Sequence, residues 1–191
     1  MIHNFIYHNP TKVYFGNGEL SHLHEELSRF GHQVLLVYGG GSIKKNGLYD
    51  TIMKEIQLAG MAGYELSGIQ ANPEIEPVRQ GISLCRHGDV DVILAVGGGS
   101  VLDTAKAIAG SVFYEEDPWQ LIQSRAQIAH ALPLITVPTM AATGSEMNSC
   151  AVITNPDTQE KYGWTTEALR PKVSFLCPEN TYTVPAFQTA C

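Results

Sequence analysis

The residues whose types and spacing best suit chemistry are Gly97-Gly98-Gly99-Ser100, followed by Asp103 and Lys106. Directly ahead of them residues 90–96 form a short β-branched apolar run bounded by glycine, which predicts a buried strand. Behind them Val101, Leu102, Ala105, Ile108 and Ala109 fall at helical spacing. A strand that turns through glycines into a helix presents free backbone N–H groups at the positive end of the helix dipole. That is a seat for phosphate. A plainer reading stands beside it: glycines make tight turns, and Ser100 with Asp103 three residues on has capping-box spacing.

The elements that must position this seat follow from hydrophobic period. Residues 33–38 read as a second buried strand, running into Gly39-Gly40-Gly41-Ser42. Residues 132–137 read as another, running into Pro138-Thr139-Met140-Ala141-Ala142-Thr143-Gly144-Ser145-Glu146. Helical stripes are predicted over 19–30, 49–58 and 74–87, with a further strand over 63–66 and short ones at 151–154 and 173–176. Residues 1–17 suggest two extended segments about Asn9-Pro10, residues 111–130 are less regular, and residues 155–163 read as a hairpin loop carrying Lys161. Alternating strand and helix predicts an α/β fold, a parallel β-sheet flanked by helices. Ligands in such a sheet sit at the carboxyl ends of the strands. The loops 39–42, 97–100 and 138–145 therefore converge on one edge.

Bulk composition narrows the classes. The chain has 191 residues, 44% hydrophobic and 16% charged, enough for one well-buried domain or one large and one small. A formal net charge of -7 gives no global sign of a nucleic-acid binder. Apolar runs are far shorter than a membrane span, and the N-terminus carries no signal-peptide pattern. The four cysteines, Cys85, Cys150, Cys177 and Cys191, contain no Cys-x-x-Cys pair, which suggests free thiols in a reducing cytoplasm. His22 and His24 lie two apart and so point to different helix faces, and none of the seven histidines falls in a metal-binding spacing.

Neither a P-loop nor the G-x-G-x-x-G dinucleotide fingerprint is present. The stretches Gly97 through Lys106 and Thr136-Val137-Pro138-Thr139-Met140-Ala141-Ala142-Thr143-Gly144-Ser145-Glu146-Met147-Asn148 instead resemble the iron-containing, group III alcohol dehydrogenases. Asn72-Pro73, Lys161 and residues 178–185 fall in the same order as in that family. The resemblance runs over essentially the whole chain and leans toward the NADP-dependent butanol dehydrogenase or aldehyde reductase branch. It implies a Rossmann-like dinucleotide-binding domain of the kind shared with dehydroquinate synthase. Gly98, Gly99, Ser100 and Asp103 would hold the pyrophosphate region, with Asp103 on a backbone N–H or ribose rather than on phosphate. Thr139, Thr143 and Ser145 would donate hydroxyls around pyrophosphate and nicotinamide ribose. Lys161 would reach that ribose, Asn72 the phosphates, and Gly39, Gly40 and Ser42 the adenosine end. No acid follows residues 33–38, and Lys44 and Lys45 add positive charge nearby. This favours NADP over NAD, although two lysines also fit a solvated helix start.

The resemblance further implies a divalent metal, Fe or Zn, held by one aspartate and three histidines in an all-helical second domain. None of the residues here matches those ligands, and the chain stops where the first would be expected. The expected organisation is a cofactor-binding domain over 1–184 and the start of a truncated helical domain over 185–191. The expected function of the parent is hydride transfer between nicotinamide and a primary alcohol or aldehyde, as a cytoplasmic homodimer without nucleic-acid or membrane partners, while this chain would bind cofactor only. A non-catalytic nucleotide-binding module, and a superfamily member like dehydroquinate synthase or glycerol dehydrogenase, are the alternatives. Trp119, Phe113 and Met147 could line a substrate wall or belong to the core.

Overall fold

The computed structural model describes residues 4–187. Among the described residues eight strands are formed: β1 (Lys12–Phe15), β2 (Gln33–Gly39), β3 (Ala62–Ile69), β4 (Val92–Gly97), β5 (Leu134–Pro138), β6 (Cys150–Asn155), β7 (Glu160–Thr165) and β8 (Val173–Leu176). The helices are α1 (Leu23–Leu27), α2 (Ser42–Lys45), α3 (Leu48–Leu58), α4 (Ile75–His87), α5 (Gly99–Ser111) and α6 (Pro118–Ser124). Six strands make one sheet in the order β1-β8-β5-β4-β2-β3, every neighbouring pair parallel. The remaining two, β6 and β7, form an antiparallel hairpin.

Strands buried on both faces need near-continuous apolar sequence, and β4 is buried along its whole length. Its alternate residues feed two cores. Val92, Leu94 and Val96 join Val34, Leu36 and Tyr38 of β2 beneath Leu23 and Leu27 of α1 and Ile52 and Ile56 of α3. Ile93 and Ala95 join Leu35 and Val37 beneath Val78 and Ile82 of α4 and Leu102, Ala105 and Ile108 of α5. The hairpin closes this second core with Ala151, Ile153 and Trp164, and Trp164 Nε1 donates to the Ala126 carbonyl at 2.7 Å.

Several local expectations change. Of the two N-terminal extended segments only Lys12–Phe15 is a strand, while Phe5, Ile6 and Tyr7 stand exposed outside any element. The stripe over 19–30 breaks into a 3₁₀ turn (Glu19–His22) and the five-residue α1. His22 lies at the surface, while His24 pairs with Glu55 of α3 at 2.7 Å, tying the two helices together. The irregular stretch after α5 contains α6, capped by Asp117, whose carboxylate accepts the Trp119 N–H. Lys161 sits on β7 itself, because the hairpin turn is confined to the residues between Asn155 and Glu160. The expected helical start over 185–191 lies in large part outside the described residues.

Candidate dinucleotide site

Four adjacent parallel strands end side by side on one edge of the sheet. The pairs Gly39↔Ile69, Tyr38↔Val96 and Gly97↔Pro138 bring together the ends of β3, β2, β4 and β5. From these ends leave the loops carrying Asn72, Gly39 to Ser42, Gly97 to Ser100, and residues 138–145. The connection after β2 runs through α3 on one face, and that after β4 runs through α5 on the other. Neighbouring strands whose connections diverge to opposite faces leave a crevice at their carboxyl ends, the usual ligand position of an open α/β sheet.

The central loop shows why three glycines stand in a row. A Cβ on Gly97 would lie 2.6 Å from Val101 Cγ2, and one on Gly99 would lie 2.6 Å from Thr143 Cγ2. Packing within the chain therefore excludes side chains at both. At Gly98 nothing lies within 4 Å of a built Cβ, and its φ of −80° is open to any residue. The missing side chain at Gly98 leaves open space over the end of α5, a cradle that a Cβ would fill. Gly98 is the N-cap, and its carbonyl receives Val101 N–H at 3.0 Å and Leu102 N–H at 3.2 Å. The N–H groups of Gly99 and Ser100, in the first helical turn, have no acceptor within the helix. Ser100 thus lies inside the helix rather than at its cap, and the capping box is not made. The helix start keeps its free donors.

Asp103 and Lys106 turn inward. Lys106 is fully buried, and its ammonium donates to Ser145 Oγ at 2.9 Å, Asn148 Oδ1 at 2.7 Å and the Cys150 carbonyl at 3.0 Å. Ser145 Oγ in turn donates to Asp103 Oδ1 at 2.7 Å, and Asp103 Oδ2 accepts the Val152 N–H at 3.1 Å. Asp103 thus takes a backbone N–H, that of Val152. Burial pushes its carboxyl above the ordinary carboxylate value, against the hydrogen bonds from Ser145 and Val152 and the charge of Lys106. Burial likewise pulls Lys106 down to about 8, with Asp103 acting in the opposite sense. The hydroxyl of Ser145, itself 1% exposed, is committed on both sides. The network rivets α5 to the segment 145–152, whose first turn sets Thr143 over Gly99.

The remaining expected residues lie on the loops and the hairpin beside these strand ends. Asn72, held at φ 64°, accepts Lys161 Nζ at 2.7 Å and Thr154 Oγ1 at 3.1 Å, so the hairpin is pinned to the end of β3. Thr139 N–H bonds the Gly97 carbonyl at 3.0 Å, which holds the β5 loop against the central one. Thr143 Oγ1 accepts the Ser145 N–H at 3.3 Å. At the β2 end, Gly41 (φ 100°) caps the four-residue α2, and Ser42 stands exposed. Lys44 lies over the rings of Tyr49 and Tyr38, 4.4 and 5.2 Å from their centres. Trp119 is core, packed on Tyr162, while Phe113 is exposed and Met147 half-buried.

Sequence reasoning quoted Lys106 within the motif but gave it no role. Its signal was a lysine set among Ala105, Ala107 and Ile108 of an apolar helix. The open cradle at Gly98, the free helix donors and the hydroxyls about Thr143 fit a dinucleotide pyrophosphate. No metal is accommodated in the same way: among the described residues no group of three or more His, Cys, Asp or Glu side chains comes together. Cys85 and Cys177 are buried free thiols pushed up to about 12 and about 11 by burial, and Cys150 is also free. Among the described residues no helix is long and apolar enough to cross a membrane.

Comparison with known proteins places the chain in a family. Residues 10–178 match the family model described as iron-containing alcohol dehydrogenase. The chain is 51% identical over 186 residues to a probable NADH-dependent butanol dehydrogenase of Bacillus subtilis, covering 97% of this chain and 48% of the relative. It is 40% identical to an NADPH-dependent aldehyde reductase of Escherichia coli, covering 99% of this chain and 49% of the relative. The crystal structure of an NADH-dependent butanol dehydrogenase A from Thermotoga maritima superposes with a TM-score of 0.93 at 45% identity, over 97% of this chain and 47% of that one. The chain spans about half the length of the curated relatives it matches.

Proposed function

The chain belongs to the iron-containing alcohol dehydrogenase family, and we propose that it is the part of such an oxidoreductase that binds the nicotinamide dinucleotide. The observation that carries this is the row of four strand ends, with the open cradle at Gly98 between Gly39–Ser42 on one side and Thr139–Ser145 on the other. Gly99 and Ser100 N–H groups meet the pyrophosphate, Thr139 and Thr143 stand on its nicotinamide side with Lys161 and Asn72, and Gly39, Gly40 and Ser42 take the adenosine side. Asp103 and Ser145 belong to the same site as the residues that hold its loop. The cofactor supplies hydride chemistry with a primary alcohol or aldehyde when bound. A metal is proposed for the whole protein only, since the residues described here do not form its site.

The choice between the two nicotinamide cofactors turns on the adenosine end. No acid lies between Gly39 and Tyr49 to repel a 2′-phosphate. The two lysines that argued for NADP are not equivalent, however, because Lys44 is held over Tyr38 and Tyr49. Two of the relatives compared above are described as NADH-dependent and one as NADPH-dependent. We read the site as taking NADH by preference while tolerating NADPH. A second copy of the chain is proposed to pair along β1, one of the sheet's two edge strands, where Val13 and Phe15 stand exposed.

Titration of the chain with NADH and NADPH, followed by nucleotide fluorescence, tests the reading. Saturable binding of NADH, tighter than that of NADPH, is expected. Tighter NADPH binding overturns the preference, and no binding of either overturns the assignment.

A further inference from the structure

Glu65 lies on β3, one strand away from the glycine loop that follows β2, and has no part in the site just described. Its carboxylate accepts two phenol hydroxyls, Tyr38 at 2.7 Å through Oε2 and Tyr49 at 2.8 Å through Oε1. Tyr38 comes from the end of β2 and Tyr49 from the start of α3, so both rings are fixed by one acceptor. The rings stand 5.8 Å apart at 58°, and the Lys44 ammonium sits against both. Two aromatic faces with a carboxylate behind them make a favourable seat for a cation. The Lys44 ammonium is stabilised there, chiefly by the Tyr38 hydroxyl and also by the charge of Glu65. The Tyr49 hydroxyl is held protonated chiefly by its hydrogen bond to Glu65.

Lys44 follows Ser42 by two residues, and its N–H bonds the Gly41 carbonyl at 3.1 Å, so its stem starts on α2, directly after the loop that would face the adenosine ribose. The residue suited by position to meet a 2′-phosphate is drawn instead onto the ring pair. We infer that Glu65, acting through Tyr38 and Tyr49, parks the Lys44 ammonium away from the adenosine end and thereby sets the preference for NADH over NADPH. Glu65 is a positioning residue in this account and touches neither cofactor. The inference rests on the dinucleotide reading given above.

Binding of NADH and NADPH to wild type, Glu65→Gln, Lys44→Met and the double variant tests it. Glu65→Gln keeps the side chain's size and one of its two acceptors while removing the charge, so NADPH should bind roughly three- to fivefold tighter relative to NADH, the scale of one exposed ion pair gained. Unchanged NADH affinity in that variant reports an intact fold, and Lys44→Met in the double variant should abolish the gain. An unchanged NADPH-to-NADH ratio in folded Glu65→Gln overturns the inference. Lys44→Met alone gives an independent arm: a parked lysine predicts less than about twofold loss of NADPH affinity, and a loss near tenfold overturns it. If wild type binds neither cofactor, the dinucleotide reading fails and this inference with it.

Discussion

Ser145→Ala separates two roles for one hydroxyl. In the structure it donates to Asp103 at 2.7 Å and accepts from Lys106 at 2.9 Å, with both charged partners largely buried. The substitution removes both bonds with almost no change in volume. Asp103 keeps the Val152 N–H, and Lys106 keeps Asn148 Oδ1 and the Cys150 carbonyl, so neither charge is wholly orphaned. A hydrogen bond to a buried charged group is worth about 1.5–3 kcal/mol net. Two bonds sharing one hydroxyl are coupled and do not simply add. The expected loss is therefore about 2–4 kcal/mol. The assay is urea unfolding followed by tryptophan fluorescence, paired with NADH titration of the same variant. If the hydroxyl holds the loop, stability falls by this amount and NADH affinity weakens a few-fold as Thr143 loses its support. If the hydroxyl instead meets the cofactor directly, stability is unchanged and affinity alone drops. A stability change below about 0.5 kcal/mol, the usual range of an unimportant site, refutes the riveting role.

Further outcomes follow from the same geometry. Gly99→Ala drives a Cβ to 2.6 Å from Thr143 and should lower stability by about 1–3 kcal/mol, whereas Gly98→Ala meets nothing in the chain and should weaken NADH binding with little change in melting. Equal effects of the two on melting would contradict the cradle. Lys106 titrates near 8 when folded against an ordinary 10.5, so the unfolded chain binds the extra proton between those values. Its contribution makes stability rise with pH from about 8 toward 10.5, by up to about 3 kcal/mol. Unfolding curves across that range should show the rise in wild type and lack it in Lys106→Met. Asn72→Ala frees Lys161 from its 2.7 Å bond at the surface and should weaken NADH binding while leaving unfolding within about 1 kcal/mol; intact binding would remove both residues from the site.

The sequence by itself determined the central strands and the loops of the candidate site. Residues 34–38, 92–96 and 132–137 are apolar on both faces, and their shortness, β-branched content and Gly or Pro ends favour a strand covered on both sides. The loops after them were legible because glycine, serine and threonine cluster directly where the apolar runs end. Short-range pattern could not settle the roles of individual side chains. Ser100 and Asp103 have capping-box spacing, yet Asp103 points away toward Ser145 and Val152, which arrive from more than forty residues downstream. Lys44 reads as a free surface cation until β3 delivers Glu65 to the rings beside it. Lys106 reads as an anomaly in an apolar helix until residues 145–150 supply its three acceptors. Spacing along the chain fixes which groups share a face. Which partner meets a buried charge is set by the order of parallel strands, because only that order decides which distant loops become neighbours.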